Sequence, residues 1–224
     1  MCGAMRLASI LIAGFLVVAS VLPRPALAHP HEFVDASFTL RFDDAGRLDA
    51  IGVTWVWDDF TSMLILEDMG MDSSGDGTLT PDEKAQLVGL FSDWPEDFDG
   101  DLYVTQNGTP VALGGPLDMV VDYRDGQLIA RYLRRLPEPV GMDDPLTLQA
   151  YDPAYYAFYD LAGPPQVQGR EDCEIDIRRA DIAAAQKLYD RLLGQLSEEE
   201  IMEKGMFPEV GGAFADEVLL QCGK

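Results

Sequence analysis

From residue 101 to 179 the sequence falls into strand-length runs, among them "DLYVT", "DMVVDY", "QLIARYLRRL", "LTLQAYD", "YYAFYDL" and "CEIDIRR", separated at regular intervals by Gly, Pro, Asn and Asp. No helical run separates them. Parallel neighbours need long, usually helical crossovers, so the missing alternation of strand and helix predicts an antiparallel sandwich or open barrel. The same period of two opens the body of the chain. Phe38, Leu40 and Phe42 alternate in "FVDASFTLRFDD", and Ile51, Val53, Trp55 and Trp57 alternate in "IGVTWVWDD". With "DDAGRLD" between them as a turn, these two segments predict a hairpin.

The period then changes. In "DDFTSMLILEDMGM", Phe60, Met63, Leu64, Leu66 and Met69 fall on one side of a helix whose start is marked by Asp58, Asp59 and Thr61. A second helical run, "PDEKAQLVGLFSDW", follows after a polar gap. "ADIAAAQKLYDRLLGQL" and "SEEEIMEKGM" predict helices that close the chain, the second with Ser197 as N-cap. The fold class expected is α+β and mainly antiparallel β, with a helix-loop-helix insertion at 58–94 in a single β-rich domain at 29–224.

Residues 1–28 read as a secretory signal: a basic start at Arg6, an apolar run over 7–22, and an A-x-A site at Ala26 and Ala28. The apolar run is short of the ~20 residues a membrane span needs. The expectation is cleavage after Ala28, a periplasmic protein, and no membrane insertion of the mature chain. Loss of Arg6 and Arg24 would take the formal charge from −23 to −25. So acidic a chain excludes nucleic acid as a partner and concentrates cations around itself. Two cysteines remain after such cleavage, Cys173 and Cys222, and an oxidising compartment predicts a disulfide between them that pins the C-terminal segment to the body.

Between the two helical runs lies "DSSGDGTLTPDE", residues 72–83. A calcium loop of the EF-hand type needs oxygen ligands at its positions one, three, five, seven, nine and twelve, with Gly at six. Asp72, Ser74, Asp76, the Thr78 carbonyl, Thr80 and Glu83 fill those positions, and Gly77 stands at six. Ser74 is a neutral ligand where Asp or Asn is usual, which points to the weak affinity of extracellular sites, about 10⁻⁴ to 10⁻³ M.

Both histidines of the chain, His29 and His31, lie in "ALAHPHEF", and cleavage after Ala28 makes His29 the first residue, with a free amine. Amine and imidazole nitrogens suit Zn2+, Ni2+, Co2+ or Cu2+, with His31 adding a nitrogen and Glu32 or Asp35 a carboxylate. Pro30 has no amide proton, which excludes the square-planar clasp built on deprotonated amides. A bidentate terminus plus His31 is the remaining geometry.

The segments "ALAHPHEFVDASFTLRFDDAGRL", "LEDMGMDSSGDGTLTPDE", "GDLYVT" and "YDPAYYAFYDLAG" together resemble the bacterial domain-of-unknown-function family 1007, over about residues 29–178. Members of that family are often labelled the periplasmic component of an uncharacterised ABC-type transport system. The resemblance implies a role around transition-metal transport, with an inner-membrane permease of the nickel/cobalt type as partner.

The clustered aromatics of "YDPAYYAFYD", and Trp55, Trp57 and Trp94, are expected to fill core and edge positions. No nucleophile with a base, no G-x-S-x-G elbow and no phosphate loop is present, so an enzyme is not expected. The function expected is that of an exported metal-binding accessory protein, with Ca2+ in the helix-connecting loop and a divalent transition metal at the terminal His-Pro-His. The alternative is a calcium-stabilised β module that contacts a protein or envelope component and has no transition-metal role.

Overall fold

The computed structural model describes residues 30–223, apart from the side chain of Met202. The expected signal segment and His29 lie outside the described residues. Strands β1 (Glu32–Phe42) and β2 (Leu48–Trp57) form the expected hairpin, paired from Val34 opposite Trp57 to Phe42 opposite Leu48. Asp43 builds its turn by accepting the Ala45 and Arg47 amides at 3.0 and 2.9 Å. Inward-facing Val34, Ala36, Phe38 and Leu40 alternate with exposed or half-exposed residues, as period two requires.

Helix α1 (Asp59–Asp68) is capped by Asp58, whose carboxylate accepts the Thr61 amide at 2.7 Å. Its buried face is not the one expected. Phe60, Met63 and Leu64 are 62, 48 and 41% exposed, whereas Thr61, Ser62 and Leu66 are buried. The cause is polar: the Ser62 hydroxyl accepts the Leu128 amide at 2.8 Å and donates to the Trp57 carbonyl at 3.4 Å, which rotates the helix so that its first turn meets the sheet. Helix α2 (Pro81–Ser92) carries a capping box between Thr80 and Glu83. Lys84 anchors it by donating to Asp122 at 2.8 Å.

The remaining elements are β3 (Leu102–Gln106), β4 (Thr109–Pro110), β5 (Pro116–Arg124), β6 (Gln127–Val140), β7 (Leu146–Ala150), β8 (Ala157–Leu161), β9 (Gln166–Gln168) and β10 (Cys173–Arg178). Helices α3 (Ile182–Leu193) and α4 (Glu198–Met202) follow, then a 3₁₀ turn (Gly211–Phe214) and β11 (Glu217–Cys222). Ser197 caps α4 as expected. The helices do not close the chain, because β11 returns to pair between β10 and β7.

The strands form two sheets, β5-β6-β2-β1-β8 with β9 also on β1, and β10-β11-β7-β3-β4. Residues of both sheets join in one hydrophobic cluster that includes Phe38, Ile51, Val104, Leu148 and Val218. The fold is α+β and mostly antiparallel, and neither sheet closes into a barrel. Two pairings depart from that pattern: β8 and β9 lie parallel to β1, one after the other along the same edge. Among the described residues no helix is long and apolar enough to cross a membrane.

Cys173 and Cys222 stand opposite each other at the joined ends of β10 and β11 and form the expected disulfide. A bridge across 49 residues of chain stabilises the fold by about 4 kcal/mol through loss of freedom in the unfolded state.

Candidate functional site

The loop between α1 and α2 is organised around its carboxylates. Asp72, at φ 46°, accepts the Asp76 and Gly77 amides, both at 3.1 Å, on its two oxygens. The Ser74 hydroxyl donates to it at 3.4 Å. Asp76 accepts the amide of Thr78 at 2.9 Å and also its hydroxyl. Glu83 joins the two ends of the loop: one oxygen accepts the Asp72 amide at 3.0 Å, and the other accepts the amide and hydroxyl of Thr80 at 2.8 and 2.7 Å. Hydrogen bonds from Thr78 hold the Asp76 pKa below its ordinary value, and those from Thr80 do the same for Glu83. Gly75 and Gly77 adopt φ of 65° and 74°, which L side chains rarely take, so the tight path depends on them. The sequence-predicted oxygen donors lie on one loop, with the Asp72 amide tied to Glu83, but Asp72, Asp76 and Glu83 do not converge closely enough to form a metal shell as they stand. An all-oxygen donor set of this kind fits a hard cation such as Ca2+.

The other predicted ligands behave differently. At the start of β1, the His31 and Glu32 amides both donate to the Tyr156 carbonyl, at 2.8 and 3.2 Å, which fastens this end of the strand to the turn before β8. The His31 ring stacks on Tyr156 with centroids 4.9 Å apart. Glu32 and Asp35 are separated by an odd number of strand positions and face opposite ways: Glu32 is half-buried and lines a cavity, whereas Asp35 is exposed. Only Glu32 shares a site with the strand's inner face. Among the described residues no three His, Cys, Asp or Glu side chains are gathered closely enough to hold a metal by themselves.

The cavity beside Glu32, about 560 Å³, is the feature that sequence reasoning missed. Trp55 and Trp57 of β2 form one wall, with ring planes at 88° to each other, and Phe91 and Trp94 at the end of α2 form another. Asp101 and Tyr103 close it from β3, and Asp152 and Tyr159 from the β8 side. Asp101, at φ 49°, is 9% exposed and accepts the Tyr159 hydroxyl at 2.7 Å. Burial pushes its pKa up to about 7 against that hydrogen bond, with Asp152, Glu32 and Asp99 adding repulsion. Burial also raises Glu32, helped by Asp152 and Asp58, while His31 pulls it down. The Tyr159 hydroxyl is held well above its ordinary pKa by burial and by Asp101.

Asp152 has a different task. Its carboxylate accepts the Ala154, Tyr156 and Ala157 amides at 3.0, 2.6 and 3.1 Å and so shapes the turn that presents Tyr156. Behind Trp94 lies buried Arg134, its guanidinium 4.9 Å from the ring centre and bonded to the carbonyls of Asp99, Gly114 and Leu113. The aromatic expectation divides accordingly. Tyr155 fills a second core with Tyr189 and Phe214, whereas the tryptophans and Tyr159 face the cavity.

The fold and its sites thus define a two-sheet α+β protein with an oxygen-rich helix-connecting loop and an acidic, aromatic cavity at the start of its first strand. The family described as "Protein of unknown function (DUF1007)" matches residues 14–222, and the chain belongs to it. No curated protein matches the chain.

Proposed function

We propose that the protein is an exported, periplasmic metal-binding accessory protein that serves a membrane transporter of divalent transition metals, such as a nickel/cobalt-type permease. Calcium occupies the loop of Asp72, Ser74, Asp76, Thr78, Thr80 and Glu83 and braces the fold. A transition metal, Zn2+, Ni2+, Co2+ or Cu2+, binds the amine and ring of His29 together with His31 and Glu32. The observation that carries this reading is the tie between His31, Glu32 and the Tyr156 carbonyl. It fixes the second imidazole and a half-buried carboxylate at one end of a strand, next to the residue that signal cleavage would make the terminus.

The terminal chelate is tested by titrating Zn2+, Ni2+, Co2+ and Cu2+ into protein that begins at His29, beside a version with one extra N-terminal residue. Calcium is kept saturating in both. An extra residue removes the α-amine from the chelate, so the extended protein is expected to bind at least about tenfold more weakly, a loss of about 1.4 kcal/mol. Equal affinity would end the transition-metal reading and leave the calcium-stabilised β module, for which the exposed Phe60, Met63 and Leu64 of α1 offer a contact surface.

Calcium is tested separately by melting. At a calcium concentration about a hundredfold above Kd, binding adds about 2.7 kcal/mol, equivalent to a rise in Tm of roughly 5–10 °C for a chain of this size. Glu83→Gln is expected to abolish that rise. Identical melting of the unaltered protein in calcium and in chelator would remove calcium from the account.

A further inference from the structure

We propose that the cavity between β2, the end of α2 and the turn before β8 binds a small organic ammonium cation. All three tryptophans of the chain line it, and no Lys or Arg is among its lining residues. Arg134, the buried cation against Trp94, gives its donors to backbone carbonyls and feels the Asp99 carboxylate, but it pairs with neither Glu32 nor Asp101. Glu32 has no hydrogen-bond donor among the described residues, and Asp101 meets only the Tyr159 hydroxyl.

The choice between a metal and an organic cation follows from shape. A metal draws its ligands into one tight shell, and the described carboxylates are not so gathered. A volume of about 560 Å³ lies within the range of small-molecule sites and far exceeds the room an ion needs. Aromatic walls add nothing to metal coordination. They do attract the dispersed charge and C–H surface of an ammonium group through the negative faces of their rings. Trp94 and Phe98, both partly exposed and set at 75° with centroids 5.1 Å apart, supply a cornered wall of that kind, backed by the buried Trp55 and Trp57. Glu32 supplies the counter-charge, and Asp101 joins it once ionised, above about pH 7.

All three tryptophans line the cavity, so selectively excited tryptophan fluorescence, read at about pH 8 where Asp101 is ionised, reports on it. The test is a fluorescence titration of the calcium-saturated protein, free of transition metals, with choline, with putrescine, and with 3,3-dimethylbutanol as the neutral carbon analogue of choline. At least one ammonium compound is expected to give a saturable change that the alcohol does not. Glu32→Gln and Asp101→Asn, each first shown to be folded by its melting curve, are expected to weaken that binding by about tenfold, whereas Asp35→Asn should not alter it. Equal binding of the alcohol would show an apolar cavity with no preference for charge and overturn the proposal. So would a flat titration with both amines, or undiminished affinity in both carboxamide variants. Protein with an extra N-terminal residue should bind the ammonium compound unchanged, which separates this site from the terminal chelate.

Discussion

Gly100→Ala is expected to lower the stability of the protein by about 3 kcal/mol or more, seen as a fall in Tm of roughly 6–12 °C and a changed near-ultraviolet tryptophan spectrum. Gly100 sits at φ 67°, where a side chain is strained by roughly 1–2 kcal/mol. Collision costs more than this strain. A Cβ there would run into the Trp94 indole and come within 2.6 Å of an Arg134 nitrogen. Arg134 has no room to retreat, being 3% exposed and held by three carbonyls, and Trp94 could yield into the cavity only by giving up its packing on Trp55, Phe98 and Tyr132. Relief would otherwise have to come from the backbone of 99–101, which carries Asp101 with it. Unchanged melting of the variant would mean that this turn is far more pliable than its packing indicates.

Asp101→Asn should act in the opposite direction, by an amount that grows as pH rises from about 4 to about 7. The Asp101 pKa is about 7 in the fold and near 3.8 when unfolded, so the folded state holds the extra proton between those values. Stability therefore falls as pH rises from about 4 to about 7, and above 7 the buried charge costs up to about 4 kcal/mol, at 1.36 kcal/mol per pKa unit. Asparagine carries no charge, can still accept the Tyr159 hydroxyl, and tolerates the φ of 49° well. Urea unfolding at pH 4.5, 6 and 8 should show the variant ahead by about 1 kcal/mol at the lowest pH and increasingly more stable above it. Parallel profiles would show that water reaches the carboxylate freely.

How much of this could be read from residues alone varies with distance along the chain. The β1–β2 hairpin, the helix-loop-helix and the Ser197 cap are written in adjacent residues, and the structure has them where period and caps put them. The disulfide was legible for a different reason, that only two cysteines follow the expected cleavage site. Strand β11 escaped notice although Val218, Leu220 and Cys222 alternate, because the helical runs just before it suggested an ending. The buried face of α1 was misjudged because Ser62 outweighs three apolar neighbours once two backbone groups of the sheet need a partner, and no periodicity expresses that. The cavity was the least visible. Glu32, Asp101 and Asp152 lie far apart in sequence, and "DFDGDL" reads locally as no more than an acidic turn.

The parallel seating of β8 and β9 against β1 has a consequence in time. β1 occupies an interior place in its sheet, yet the neighbour along one of its edges is not synthesised until residues 157–168. The first of the described strands to be made is therefore among the last completed, and such long-range closure is slow to form. In the interval β1 carries an unsatisfied edge and exposed apolar side chains, the condition in which chains mispair with one another. A protein ordered this way gains from being kept extended until its whole length is available.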